Sequence, residues 1–195
     1  MREMTKDAPD PAPTARPFES AAEIVRFWRE AGPERWFAKD EAFDRRFHAL
    51  GLPLYEAAVR GALASWMNSP EGALALVLLL DQFPRNSFRG TARMFATDAM
   101  ARRVAAAAID AGYDTAVTAP FRVFFYLPFE HSEDLADQDR SVALAAPLDE
   151  LYRSYAEIHR DLIRRFGRFP HRNAILGRAT TPEEQRFLDD GGFSG

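Results

Sequence analysis

Apolar positions recur along the chain at three- and four-residue steps and are punctuated by capping residues, so the pattern predicts helices throughout and no strand. Ser20 and Glu23 have capping-box spacing ahead of Ile24, Val25, Phe27 and Trp28. They predict a first helix that runs to Ala31 and stops at Gly32 and Pro33. Asp40 is suited to cap a second helix carrying Phe43, Phe47 and Leu50, and Pro53 to open a short third one with Leu54, Ala57 and Ala58. Ser69, Pro70 and Glu71 open a fourth, which is expected to run to about Phe83. Its stretch from Ala73 to Leu80 is apolar on every side, which places it in the middle of the core.

Thr97 and Asp98 start the next helix, in which Met100, Val104, Ala107, Ala108 and Ala111 keep helical spacing up to Gly112. Another is expected to begin at Ser132, where Glu133 and Asp134 suit the positive end of a helix dipole. Pro147 separates it from a long helix with the stripe Leu148, Leu151, Tyr152, Tyr155, Ile158, Leu162, Ile163 and Phe166, closed by Gly167. Thr181, Pro182, Glu183 and Glu184 start the last one, and Gly191 and Gly192 end it. Short connections favour antiparallel neighbours, so the fold class is all-α: about eight helices stacked as hairpins, with no regular repeat visible in the residues themselves.

Composition narrows the setting. A chain of 195 residues, 47% of them hydrophobic, suits one domain, expected over residues 18–195 behind a disordered proline-rich leader, residues 1–17. Cysteine is absent, which fits a reducing, cytoplasmic setting. The run from Ala73 to Leu80 is far shorter than the roughly 20 residues a membrane span needs. A net charge of −4 has the wrong sign for a dedicated nucleic-acid binder. Neither a membrane nor a nucleic acid is therefore expected as partner, and the oligomeric state stays open.

Candidate chemistry lies in an internal echo. Gln82-Phe83-Pro84-Arg85-Asn86 and Arg168-Phe169-Pro170-His171-Arg172-Asn173 each deliver an arginine and an asparagine beside a proline that is read as stopping a helix. These residues are either ordinary punctuation or two loops that meet at one end of the bundle and bind an anion. Arginine forks suit carboxylate or phosphate, and five arginines with no acid lie between Leu162 and Pro182. Acids concentrate instead in Glu130-His131-Ser132-Glu133-Asp134, followed by Asp137 and Asp139. That cluster lacks a His-Glu-x-x-His pair, so no metal site is assigned, and no cofactor is identified.

His131 is either a general base beside Glu130 or Glu133, or a loop residue bonded to backbone. His159 falls on the apolar stripe of the long helix and faces the core or a pocket within it. Asp81 ends a very apolar run and needs a donor to stay charged, Arg85 being the nearest candidate. The aromatic stretch Phe121, Phe124, Phe125, Tyr126 and Phe129 either lines a ligand groove or is core, and core is the commoner fate of such a cluster.

Taken together, Leu78 to Asn86, Phe125 to Asp134 and Gly167 to Asn173, with Phe27-Trp28, Trp36-Phe37 and Arg89 to Arg93, resemble the bacterial domain-of-unknown-function family 924, over roughly Phe18 to Gly195. The resemblance implies a tetratricopeptide-repeat-like, right-handed helical superhelix. It nominates Asp81, Arg85, Asn86, Glu130, His131, Glu133, Asp134, His159, His171, Arg172 and Asn173 as a candidate pocket, without giving them roles. Gly51-Leu52-Pro53 departs from the pattern and is expected to interrupt a helix.

The leading expectation is a binding protein whose Arg/His/Glu pocket takes a small anionic ligand or an acidic peptide segment. The alternatives are an enzyme, such as a hydrolase, using a histidine and a carboxylate for acid-base catalysis, and a structural module that associates through an apolar helix face.

Overall fold

The computed structural model describes residues 16–193, and most of the expected leader therefore lies outside the described residues. All regular structure among them is helical. Helix α1 (Ala21–Ala31) begins at the Ser20 cap: the Ser20 hydroxyl accepts from the Glu23 N–H, while the Glu23 carboxylate accepts from the Glu19 N–H at 2.7 Å, one residue before the N–H that would close a capping box. It buries Ile24, Val25, Phe27 and Trp28. A single turn, α2 (Pro33–Trp36), then brings the Trp36 indole N–H onto the Trp28 carbonyl at 2.6 Å and leaves Phe37 exposed.

Helix α3 (Glu41–Val59) is capped by Asp40 and runs unbroken through Gly51 and Pro53, so no separate third helix opens at Pro53. Packing outweighs the lost N–H of proline, because the Gly51 backbone lies against the Phe83 ring. A Cβ at position 51 would stand 2.9 Å from Phe83 Cε2.

After a 3₁₀ turn (Ala64–Asn68) and the Ser69 cap, α4 (Pro70–Val77) enters the centre of the core, all but Pro70 and Glu71 buried. It does not stop near Phe83. A π turn at Leu78–Gln82, in which the Phe83 N–H donates to the Leu78 carbonyl, leads straight into α5 (Phe83–Ser87). The widened turn carries the helix through Pro84, so the first echo segment is helical and not a loop.

A 3₁₀ turn (Ala92–Phe95) precedes α6 (Asp98–Asp110), where the buried Thr97 hydroxyl donates to the Leu80 carbonyl at 2.6 Å. The short α7 (Tyr113–Ala116) precedes α8 (Ala119–Glu130), which holds the whole aromatic stretch. Phe121, Phe124, Phe125, Tyr126 and Phe129 are all buried, as core residues should be. Unlike α4, this stretch has no capping signal ahead of it and carries Pro120 and Pro128, so the sequence predicts no element there.

Helix α9 (Leu135–Ala145) starts three residues later than the expected Ser132, because Asp134 takes the cap by accepting from the Ala136 and Asp137 N–H groups. Pro147 and Asp149 then start α10 (Glu150–Phe166), and Gly167, at φ 69°, ends it in the left-handed conformation glycine favours. The chain finishes with a 3₁₀ turn (Pro170–Arg172) and α11 (Pro182–Asp189), which opens on a complete Thr181–Glu184 capping box.

Helices α8, α9 and α10 pack in succession, α9 against both others, as four-residue connections dictate. The main core is built by α1 to α8, and a small second one gathers Leu162, Ile163 and Phe169 with Phe166, Phe187 and Phe193. The α10 stripe divides at this seam. Leu162 and Ile163 are buried, whereas Leu151, Tyr155 and Ile158 are 60%, 46% and 43% exposed. No described helix is long and apolar enough to cross a membrane.

Candidate functional site

Between the two cores lies a cavity of about 510 Å³. The π turn and α5 line it with Gln82, Arg85 and Asn86; the end of α8 with Leu127, Glu130 and His131; and α10 with Leu151, Tyr152, Tyr155 and His159. The Pro170–Arg172 turn adds His171 and Arg172, and Trp36, Phe37, Met94, Phe95 and Phe193 complete an apolar frame. The two echo segments do converge, one from a helix and one from a turn.

Asp98 joins them. Arg85 donates through Nη1 to Asp98 Oδ1 at 2.9 Å and through Nη2 to Oδ2 at 3.2 Å, while Arg172 Nη1 stands 3.6 Å from Oδ2. Asp98 looks in the sequence like an ordinary first-turn acid, and nothing near it in the chain announces this role. Arg172 is 7% exposed, and its guanidinium lies between the Phe95 and Phe169 rings, 4.5 and 4.4 Å from their centroids. Its Nε is buried without a hydrogen-bond partner among the described residues, as is His171 Nδ1. Burial and the neighbouring Arg85 charge lower the Arg172 pKa to about 10, so it remains a cation at neutral pH.

Asp81 is fully buried behind the cavity wall, as its apolar run required, and Arg85 is its cation at 3.2 Å. It also accepts from Gln82 Nε2 at 2.7 Å and lies 2.8 Å from His131 Nδ1. Burial pushes its carboxyl up, but the Arg85 charge and the His131 contact outweigh that and bring it down to about 2. The His131 partner is thus Asp81, fifty positions away, and neither Glu130 nor Glu133. Burial and Arg85 hold the His131 pKa below its ordinary value, so at neutral pH the ring is uncharged, with Nδ1–H on Asp81 and an unprotonated Nε2.

Glu130 is buried 3.2 Å from His159 Nδ1. Burial, with the Asp81 charge added, raises its carboxyl to about 8, while burial lowers His159 to about 3, so both are neutral at pH 7 and form no ion pair. His159 Nδ1 lies 2.8 Å from the Tyr155 carbonyl, which fixes the proton on that nitrogen. Burial, followed by Arg172, brings His171 to about 4.

Three nominated residues act elsewhere. Glu133 accepts from the Phe169 N–H and from Arg178 at 2.6 Å, Asp134 caps α9, and Asn173 is fully buried and accepts from Arg178 Nε at 3.0 Å. Asn86 lines the cavity but donates to Asp44, which also takes Arg89 at 2.7 Å. Nor do the five late arginines form one patch. Arg164, Arg165, Arg168 and Arg178 pair with Asp139, Glu183, Glu184 and Glu133, which leaves Arg172 as the member facing the cavity. Among the described residues no group of three or more His, Asp or Glu is placed to hold a metal ion.

Residues 24–192 match the profile of a bacterial protein family of unknown function, DUF924. The chain belongs to the DUF924 family. Its structure is similar to that of a protein of unknown function from Agrobacterium tumefaciens, with a TM-score of 0.86 and 57% identity over 88% of this chain and 97% of that one. No curated protein matches. The motif segments that suggested DUF924 supply Arg85, Glu130, His131 and Arg172 to the cavity wall, with Asp81 behind it, while His159 comes from α10.

Proposed function

We propose that this protein binds a small organic anion, a carboxylate or phosphate on an apolar body, in the cavity between its two cores. The observation that carries the reading is Arg172, a cation more than nine-tenths buried, stacked between two phenylalanines, with its Nε unpaired and its nearest carboxylate already taken by Arg85. A buried donor without a partner costs about 1–3 kcal/mol, and an anion seated on the guanidinium removes that cost. The remaining wall fits a ligand with one charged end: its three histidines and Glu130 are uncharged at neutral pH, and Phe37, Phe95, Leu127 and Phe193 offer apolar surface. Volume favours a metabolite-sized molecule over a long peptide, since about 510 Å³ lies within the range of small-molecule sites.

Thermal shift against a panel of aliphatic and aromatic carboxylates and their phosphate counterparts tests the reading. At least one anion is expected to raise the unfolding midpoint of the protein and to leave an Arg172→Met variant unmoved, because methionine keeps the packing between Phe95 and Phe169 without the charge. If no member of the panel shifts the protein, or Arg172→Met responds equally, anion binding in this cavity is wrong.

A further inference from the structure

The same cavity holds more than binding needs. Asp81 is fully buried and accepts the Nδ1–H of His131 at 2.8 Å, the arrangement that fixes one imidazole tautomer and leaves the other nitrogen a base. His131 Nε2 makes no hydrogen bond to any described residue, and the ring lines the cavity. The next residue in the chain, Glu130, lines it too, buried within 3.2 Å of His159. Arg85 and Arg172, joined through Asp98, supply positive charge to the same chamber.

We propose that the cavity is an active site in which His131 acts as general base and Glu130 as general acid, hydrolysing an ester or amide that carries a carboxylate. The inference rests on the anion-binding reading, with Arg172 holding the substrate's carboxylate. Among the described residues no serine, threonine, cysteine or lysine lines the cavity, and the nucleophile in this proposal is water. His131 Nε2 takes a proton from that water as its oxygen bonds to the acyl carbon, and the carbonyl electron pair moves onto oxygen within the field of Arg85. When the bond from the acyl carbon to the leaving oxygen or nitrogen breaks, the leaving atom takes the proton of Glu130. The proton on His131 then returns to Glu130 through solvent, and one ester or amide and one water have become one acid and one alcohol or amine.

Geometry places both groups on the cavity and orients His131 through Asp81, and protonation divides their roles. A carboxyl raised to about 8 still carries its proton at pH 7, whereas an imidazole held below its ordinary value does not. Asp81 is a positioning residue, since it touches His131 and not the cavity space. Its own charge also helps to keep Glu130 protonated.

The probe is 4-acetoxybenzoate, an aryl ester whose carboxylate lies too far round the ring to assist its own hydrolysis, with 4-acetamidobenzoate as the amide counterpart. Release of 4-hydroxybenzoate is followed by absorbance, and binding of each probe by thermal shift. The wild-type protein is expected to hydrolyse the ester, and His131→Gln, which keeps a donor for Asp81, to lose about 100-fold or more in kcat with KM little changed. Glu130→Gln is expected to slow the amide far more than the ester, because phenolate leaves without help. The same variant is also expected to lose the upper limb of the kcat/KM pH profile, near 8.

Turnover no faster in the wild type than in His131→Gln, with the probe still bound, overturns catalysis and leaves anion binding standing. A wild type that binds neither benzoate but still binds another anion of the panel overturns this substrate class and leaves anion binding standing, and a wild type that binds no anion of the panel overturns both. A hydrolysis rate that keeps its leaving-group and pH dependence in Glu130→Gln removes Glu130 from the acid role.

Discussion

Arg85 and Arg172 share one carboxylate, that of Asp98, at 2.9 and 3.6 Å. Two guanidiniums drawn to one acid repel each other, and the repulsion contributes to the lowered Arg172 pKa. The Asp98→Asn variant removes the shared anion and leaves both cations buried. Breaking a buried pair in this way costs about 3–5 kcal/mol. The unfolding midpoint of Asp98→Asn is expected to fall accordingly, and sulfate or phosphate is expected to restore more of it than chloride at equal ionic strength. Calorimetry in the three salts checks this, and equal recovery in all of them would mean that the two arginines need no specific counter-ion.

The neutral groups of the cavity set a pH dependence with two opposing limbs. Glu130 has a folded pKa of about 8 against an ordinary 4.5, so the unfolded chain releases its proton first and stability declines as pH rises from about 4.5 to 8. His159 has a folded value of about 3 against an ordinary 6.5, so the unfolded chain takes up the proton first and stability declines as pH falls from about 6.5 to 3. Glu130→Gln keeps shape and polarity but cannot ionise. It is expected to unfold at a higher temperature than the wild type at pH 8, by about 2–4 °C for each kcal/mol recovered, and at nearly the same temperature at pH 4.5. Thermal unfolding of both proteins at the two pH values decides it; a uniform offset would show that Glu130 is already ionised when folded.

Gly51 lies where α3 meets the rigid, fully buried ring of Phe83, which itself stacks on Tyr55 with centroids 4.9 Å apart. Gly51→Ala gains about 0.5–1 kcal/mol of helix propensity but places a methyl 2.9 Å from that ring. Overpacking of a filled core costs about 1–3 kcal/mol, so the variant is expected to be less stable in urea titration. Phe83→Leu in the same chain is expected to recover part of the loss, and additive effects of the two changes would mean that they are not in contact.

Much of this architecture is local and therefore legible. Ser20, Asp40, Ser69, Asp149 and Thr181 cap helices by hydrogen bonds that reach two or three residues along the chain, and each could be read from its neighbours. Pro53 and Pro84 misled the sequence reading, because local chemistry says that proline breaks a helix while burial of Gly51 and Phe83 carries the helix through. The site was legible as a set of residue types, since Arg85, Glu130, His131, His159, His171 and Arg172 do share one cavity. Its wiring was not. The contact of Asp81 with His131 reaches across 50 positions and that of Asp98 with Arg172 further still, and even Arg85 lies 13 positions from Asp98, so no spacing rule encodes contacts made only by packing.

The π turn at Leu78–Gln82 bears on how such a site arises and how it is lost. A widened turn contains one residue more than a regular helix needs, and each residue of helix turns the chain by about 100° and advances it about 1.5 Å. Arg85 and Asn86 face the cavity with that surplus residue already counted in their register. Because the widened turn absorbs that residue, removal of a single codon within it would return the segment to a regular helix with both side chains still on the cavity wall, whereas a further codon added there would rotate them off it, so the cationic lining tolerates one change of helix length and not the other.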